Sequence, residues 1–192
     1  MKKLLVIVTA VAISLSAQAW DKVGHSTIVE IAKRHLTENT KKNIAKYIPY
    51  DITKDASWMD YNRGKKSPYR FTNSWHSYYY DSQLRHEPNA PNKIKNGDTM
   101  RALDLAERNL SMYKELTDSA VIFNIRMILH FVGDMHCPTH SYVPGPRCHW
   151  PCELNGQKIK EFHKVYDMMP VWVHPNKTNV LPILLIHLQT HP

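Results

Sequence analysis

Leu129-His130-Phe131-Val132-Gly133-Asp134-Met135-His136-Cys137-Pro138-Thr139-His140 is the stretch around which the rest of the chain is organised. On a helix, residues four apart share a face, so His130 and Asp134 would hold an imidazole and a carboxylate one above the other as a chelating pair. Upstream, Ala120-Val121-Ile122-Phe123-Asn124-Ile125-Arg126-Met127-Ile128 is apolar enough for a buried helix, which would carry the pair inward. A carboxylate carried inward needs a counter-charge. Pro138 then ends or bends the helix, and His140 adds a further nitrogen just beyond it. A lone buried histidine is more often a hydrogen-bonded core residue than a ligand, so the deciding side chains have to come from elsewhere in the chain.

Working outward, Lys160 to Met169 reads as a helix in which His163 and Asp167 again stand four apart. Thr117-Asp118-Ser119 caps the central helix, and Asp98 opens another through Leu116, with Leu103, Ala106, Leu110 and Tyr113 on one stripe. From Trp20 to Leu36, Val23, Ile28, Val29, Ala32 and Leu36 recur at helical spacing, with His25 in the opening turn. Thr37 caps a further helix that stops near Pro49. Asp55 to Asp60 reads as a short helix before the basic loop Arg63-Gly64-Lys65-Lys66. Tyr69 to Asp81, rich in aromatics and containing His76, is expected to be extended or irregular, residues 87 to 98 form a polar loop, and Asn155-Gly156 marks a tight hairpin turn. The class is therefore all-α: a single mainly helical domain with small irregular or hairpin segments.

Met1 to Ala19 reads as a secretory signal peptide, with Lys2 and Lys3 as the positive region, Leu4 to Leu15 the apolar region and Ala17-Gln18-Ala19 the cleavage site. Removing 19 of the 192 residues leaves 173, enough for one domain beginning at Trp20. A secreted or periplasmic monomer with no membrane anchor is expected. The formal charge of +8 falls to +6 with the loss of Lys2 and Lys3, a surface that attracts phosphate-rich polymers or anionic membranes. Of the three cysteines, Cys148 and Cys152 are the pair a short loop could join in a disulfide, with Cys137 left over; the sequence leaves their state open. There is no Gly-rich phosphate loop and no GxSxG elbow, which leaves acyl-hydrolase chemistry unsupported.

The side chains that can bind a divalent cation are His25, Asp60, His76, His130, Asp134, His140, His163 and Asp167. Nitrogen and oxygen ligands without thiolate favour zinc and suit sites that retain bound water. Cleavage after Ala19 would free the amino group of Trp20 as a ninth ligand.

At this point the chain resembles the trinuclear-zinc superfamily of bacterial phospholipase C and the secreted S-one and P-one nucleases. The resemblance rests on Trp20-Asp21-Lys22-Val23-Gly24-His25, Ala56-Ser57-Trp58-Met59-Asp60, Trp75-His76, His130 to Asp134 through Pro138 to His140, and Phe162-His163-Lys164-Val165-Tyr166-Asp167. It implies one zinc on Asp60, His76, His130 and Asp134, a close partner on Trp20, His25 and the shared Asp134, and a third, more exposed zinc on His140, His163 and Asp167. It further implies a zinc-bridging hydroxide that attacks phosphorus in line, with Asp60 orienting it and Arg63 offsetting phosphate charge. The expected activity is hydrolysis of single-stranded DNA or RNA to 5'-nucleotides, with 3'-nucleotidase activity. The alternatives are a phospholipase C acting on lipid head groups and a zinc-binding, non-catalytic truncated form. His136 fits no ligand position and reads as a neighbour of the site or a surface residue.

Two departures from that family stand out. Its residue after the second-motif histidine is often a base-stacking aromatic, whereas Ser77 stands here, followed by Tyr78, Tyr79 and Tyr80. The nuclease-like domain is expected over 20–169, leaving 170–192 as an atypical tail that reads as truncated or frame-shifted.

Overall fold

The computed structural model describes residues 22–80, 83, 85, 97–142, 151–154, 156–163 and 165. Among these the chain is mostly helical: α1 (Lys22–His35), α2 (Glu38–Tyr47), α3 (Trp58–Asn62), α4 (Thr99–Ser111) and α5 (Asp118–Met135), with 3₁₀ segments at Ile52–Asp55, Arg70–His76, Tyr113–Glu115 and Pro138–His140. The small β content is a parallel pair, β1 (Tyr78–Tyr79) with β2 (Ser141–Tyr142), and an antiparallel pair, β3 (Cys152–Leu154) with β4 (Gln157–Ile159). The fold is all-α, as the apolar periodicities imply. No helix among the described residues is long and apolar enough to cross a membrane.

The central element is α5. Thr117 caps it by accepting the Ala120 N–H at 3.3 Å, and its apolar residues extend around most of its circumference. Val121 and Ile125 enter one buried cluster with Val29, Ile48, Ile52 and Ala56. Met127 and Phe131 enter a second with Met59, Trp75, Ala102 and Ala106. Burying a large apolar side chain stabilises by about 1.5–3 kcal/mol, so α5 is fixed from two sides before any ligand is considered. Helices α4 and α1 make its broadest contacts, and α3 and the 3₁₀ segments Ile52–Asp55, Arg70–His76 and Pro138–His140 also pack on it.

Several elements depart from expectation. Tyr69 to Asp81 is not extended over most of its length: residues Arg70–His76 form a 3₁₀ run. Local hydrogen bonds tighten the chain there, with the Tyr69 N–H donating to Ser67 Oγ at 3.0 Å and Thr72 Oγ1 donating to the Tyr69 carbonyl at 2.8 Å. These bonds override the strand preference of the aromatic residues. The short helix expected over Asp55 to Asp60 is split into the 3₁₀ turn capped by Asp51 and α3. The helix expected through Leu116 stops at Ser111 and continues as a 3₁₀ turn. Gly156 makes the hairpin turn between β3 and β4 at φ +76°, a conformation that favours glycine. Cys152 carries a free thiol, Cys148 lies outside the described residues, and backbone pairing of β3 with β4 forms the hairpin. Cys137 is likewise a thiol rather than half of a disulfide, and it is buried. The signal peptide, Trp20, Cys148, Asp167, the tail 170–192, most of the 87–98 loop and half of the 160–169 helix lie outside the described residues.

Candidate metal centre

The chelating pair on α5 is built as its spacing requires: His130 Nε2 lies 3.3 Å from Asp134 Oδ2. Three further segments bring histidines to the same carboxylate. His76, ending its 3₁₀ run, places Nδ1 3.0 Å from Asp134 Oδ2. His25 on α1 places Nε2 3.4 Å from Asp134 Oδ1, and His140, after Pro138, places Nδ1 at the same distance. Asp60 on α3 lies across the cluster, 3.8 Å from both His25 Nε2 and His130 Nε2 and 3.6 Å from His76 Nδ1. Arg63, one turn beyond Asp60, holds Asp60 Oδ1 at 2.9 Å and stays partly exposed at the rim.

Close backbone approach makes this convergence possible. A Cβ added at Gly133 would stand 2.5 Å from His25 Nδ1, so only glycine lets α1 and α5 come near enough for His25 to stack on His130 at 4.0 Å between ring centroids. Backbone carbonyls then orient two rings. His130 Nδ1–H donates to the Ala56 carbonyl at 2.8 Å, and His140 Nδ1–H donates to the His76 carbonyl. Each bond turns the other nitrogen, Nε2, away from the backbone, the arrangement that metal-binding histidines use.

Burial and the shared Asp134 carboxylate set the electrostatics of the centre. Burial holds His25 well below the ordinary imidazole value and takes His76 down to about 3, so both rings are neutral at pH 7. Burial opposes charge on His130 as well, but the Asp134 carboxylate beside it, with help from Asp60, outweighs burial and raises its pKa. For Asp134 itself, burial pushes upward and the imidazoles of His130, His140 and His76 outweigh it, holding the carboxyl well below its usual range. Asp60 is raised, chiefly by burial.

These residues fit a divalent cation. Both oxygens of Asp134, both nitrogens of His25, His76 Nε2 and His140 Nε2 are buried without a hydrogen-bond partner. Leaving such atoms unpaired is costly, and a cation among them would satisfy several at once. Two overlapping groups have ligand atoms all within 4.8 Å of one another: His25, Asp60 and His130, and His76, His130 and Asp134. His163 lies beside His140, with ring centroids 4.8 Å apart. Trp20 and Asp167 are outside the described residues. His136 is exposed and donates from Nδ1 to the Val132 carbonyl at 2.7 Å, at the C-terminus of α5. An apolar groove of ≈ 390 Å³, lined by residues such as Leu36, Ile44, Tyr47 and Leu129, takes in none of the converging His and Asp side chains.

Reading side chains alone missed three contributors: the Ala56 carbonyl, Gly133 as a contact point, and the ion pair between Asp55 and Arg126 at 2.9 Å. Ala56 and Gly133 do lie within the Ala-Ser-Trp-Met-Asp and His-Phe-Val-Gly-Asp segments, the only signal that pointed near them.

A fold of this class, with a buried histidine and aspartate centre, is matched by the family model described as S1/P1 nuclease over residues 20–180. The chain belongs to the S1/P1 nuclease family, and its activity is of the nuclease or phosphodiesterase kind. The family is zinc-dependent, acts on nucleic acid and consists in general of secreted enzymes. No curated protein matches the chain.

Proposed function

We propose that the chain is a secreted, monomeric, zinc-dependent phosphodiesterase that hydrolyses single-stranded DNA or RNA to 5'-nucleotides and also removes 3'-phosphates from nucleotides. The observation that carries this reading is the gathering of four imidazoles around the fully buried Asp134, whose oxygens lack hydrogen-bond partners. Asp60, His76, His130 and Asp134 would hold one zinc, and His25 with Asp134 and the Trp20 amine a second. His140, His163 and Asp167 would hold a third.

Zinc bound there supplies Lewis-acid stabilisation of phosphate charge and lowers the pKa of water. The chain's own groups do the rest. Asp60, buried and held by Arg63, is positioned to accept a hydrogen bond from water at the centre and so orient it. The remaining N–H groups of the Arg63 fork are available to phosphate oxygens at the rim. The Ala56 and His76 carbonyls keep the His130 and His140 rings from rotating.

The test is incubation of the metal-loaded mature protein with single-stranded oligonucleotides, followed by product analysis. Chelator-sensitive cleavage that leaves 5'-phosphates supports the proposal. Hydrolysis of phosphatidylcholine with no nucleolytic activity would replace it with phospholipase C, and bound zinc without turnover of either substrate would leave a non-catalytic binding protein.

A further inference from the structure

Asp60 and His76 are joined by a segment whose composition differs from the rest of the chain. Residues 61–75 contain Arg63, Lys65, Lys66 and Arg70 and no aspartate or glutamate. Lys65, Lys66 and Arg70 are exposed. Two large aromatic rings are exposed beside them, Tyr61 at 57% and Phe71 at 45%.

The segment is braced rather than loose. The Ser67 N–H donates to the Gly64 carbonyl at 2.9 Å and the Arg70 N–H to the Ser67 carbonyl at 3.2 Å. Arg70 Nη1 reaches the Lys65 carbonyl at 3.4 Å, and Ser67 Oγ donates to the Asn62 carbonyl. Phe71 packs against Trp75 in a T-shaped pair, with ring centroids 5.3 Å apart, while part of its surface meets solvent.

Both ends of the segment are therefore fixed in the candidate metal centre, and its cations cannot lie far from it. At 3.3–3.6 Å per residue, Lys66 is at most about 20 Å from Asp60 along the chain, and Arg70 is within about the same reach of His76. Arg63 already engages Asp60. Lys65, Lys66 and Arg70 are exposed on the same segment, within reach of the phosphates on either side of the one being cleaved. A braced segment that presents several cations with aromatic rings at its ends has the chemistry that holds single-stranded nucleic acid, with cations on the phosphates and rings stacked on bases. Membrane-binding basic segments differ in kind, being amphipathic helices or loose polybasic stretches, and this loop is neither.

We propose that the loop from Tyr61 to Phe71 is a strand-binding ledge: Lys65, Lys66 and Arg70 take the phosphates flanking the scissile bond, and Tyr61 and Phe71 stack on flanking bases. It gives the enzyme a preference for polynucleotides over mononucleotides. The inference rests on the nuclease reading of the same site.

The test compares the full mature chain with the Lys65→Ser/Lys66→Ser double variant and with Phe71→Leu, which keeps the apolar packing but loses the flat ring. Two readouts are used: binding of a fluorescent, cleavage-resistant phosphorothioate oligothymidylate to the metal-loaded protein across a salt series, and the ratio of kcat/KM for the unmodified oligomer over a dinucleotide. For the double variant, the slope of log affinity against log salt should flatten by about 0.7 for each lost cation, roughly 1.4 in all. The oligomer preference should fall about tenfold, and Phe71→Leu should weaken binding about fivefold with the salt slope unchanged, as loss of one stacking contact predicts. Unchanged slopes, or equal losses on oligomer and dinucleotide, would overturn the ledge. So would lost binding to phosphatidylserine vesicles with oligonucleotide binding intact, which would make the loop a membrane contact. A wild-type protein that cleaves nothing while the slope still flattens would instead sink the nuclease reading and leave the ledge standing.

Discussion

Asp55 and Asp134 are carboxylates buried to similar degrees, at 6% and 0% exposure, and both belong to corners built on α5. Asp55 is closed off by the protein itself: Arg126 Nε donates to its Oδ2 at 2.9 Å and Tyr50 Oη at 3.0 Å. The Arg126 guanidinium also lies 4.5 Å over the Trp58 ring. Eight residues further along the helix, Asp134 faces imidazole nitrogens at 3.0–3.4 Å, and both its oxygens lack hydrogen-bond partners. One corner supplies its own cation and serves stability. The other is arranged to receive one. The two are coupled through the backbone, because Asp55 immediately precedes Ala56, whose carbonyl orients His130.

The largest way to break the comparison is Asp134→Asn, nearly isosteric but without the charge that several rings share. Activity should fall by about 10³-fold, the scale of losing a preorganised electrostatic contact at a reacting centre. Metal content should fall with it. Thermal unfolding with and without chelator is the accompanying measurement: chelation should lower the wild-type midpoint clearly, since ligand held at a thousand times its Kd contributes about 4 kcal/mol. The Asn variant should show almost no chelator effect, and a variant that keeps its full metal complement would refute the central role of Asp134.

Asp55→Asn or Arg126→Met attacks the other corner. Breaking a pair this buried should cost about 2–3 kcal/mol, below the range for fully buried pairs because the Arg126 side chain is 20% exposed. Denaturant unfolding in the presence of chelator isolates this loss, which should persist without metal. The double variant should lose less than the sum of the singles, as partners in one contact do. A smaller secondary effect on metal affinity, about tenfold, is expected through Ala56 and His130.

Much of this contrast was visible in the residues, and the invisible part has a common cause. His130 and Asp134 are four apart on one helix, so local geometry alone puts them together, and the same holds for the Thr117 cap. His25, Asp60 and His76 could be joined to them only by their resemblance to a family pattern, since no periodicity links separate segments. The closed corner was not legible. Arg126 stands 71 residues from Asp55, inside a run that reads as apolar, and nothing local pairs them. Carbonyl groups such as that of Ala56 belong to every residue, so their roles have no signature. The 3₁₀ run before His76 was misread because short-range Ser67 and Thr72 hydrogen bonds competed with aromatic strand preference and won.

Gly133→Ala perturbs the open corner without touching a charge. Its Cβ would meet His25 Nδ1 at 2.5 Å, so α1 must shift or the ring must turn. Overpacking of this kind costs about 1–3 kcal/mol. Because the displaced atom belongs to a candidate ligand, zinc content should drop together with stability, and activity more steeply than either. Metal analysis beside calorimetry checks this: stability lost with zinc retained in full would mean that His25 does not contribute to the centre.

The smallest effect sharpens the comparison from the far end of α5. Thr117→Ala removes the side chain that accepts the Ala120 N–H at 3.3 Å and should cost about 1 kcal/mol. The loss is confined to the first turn, since the later turns are held by Val121, Ile125, Met127 and Phe131 in two separate clusters. His130 and Asp134 therefore keep their positions, and zinc content and kcat/KM should match wild type while the unfolding midpoint falls. If the centre instead loosened with the cap, α5 would be transmitting strain along its whole length, and the two corners could no longer be treated as one satisfied by the protein and one awaiting an ion.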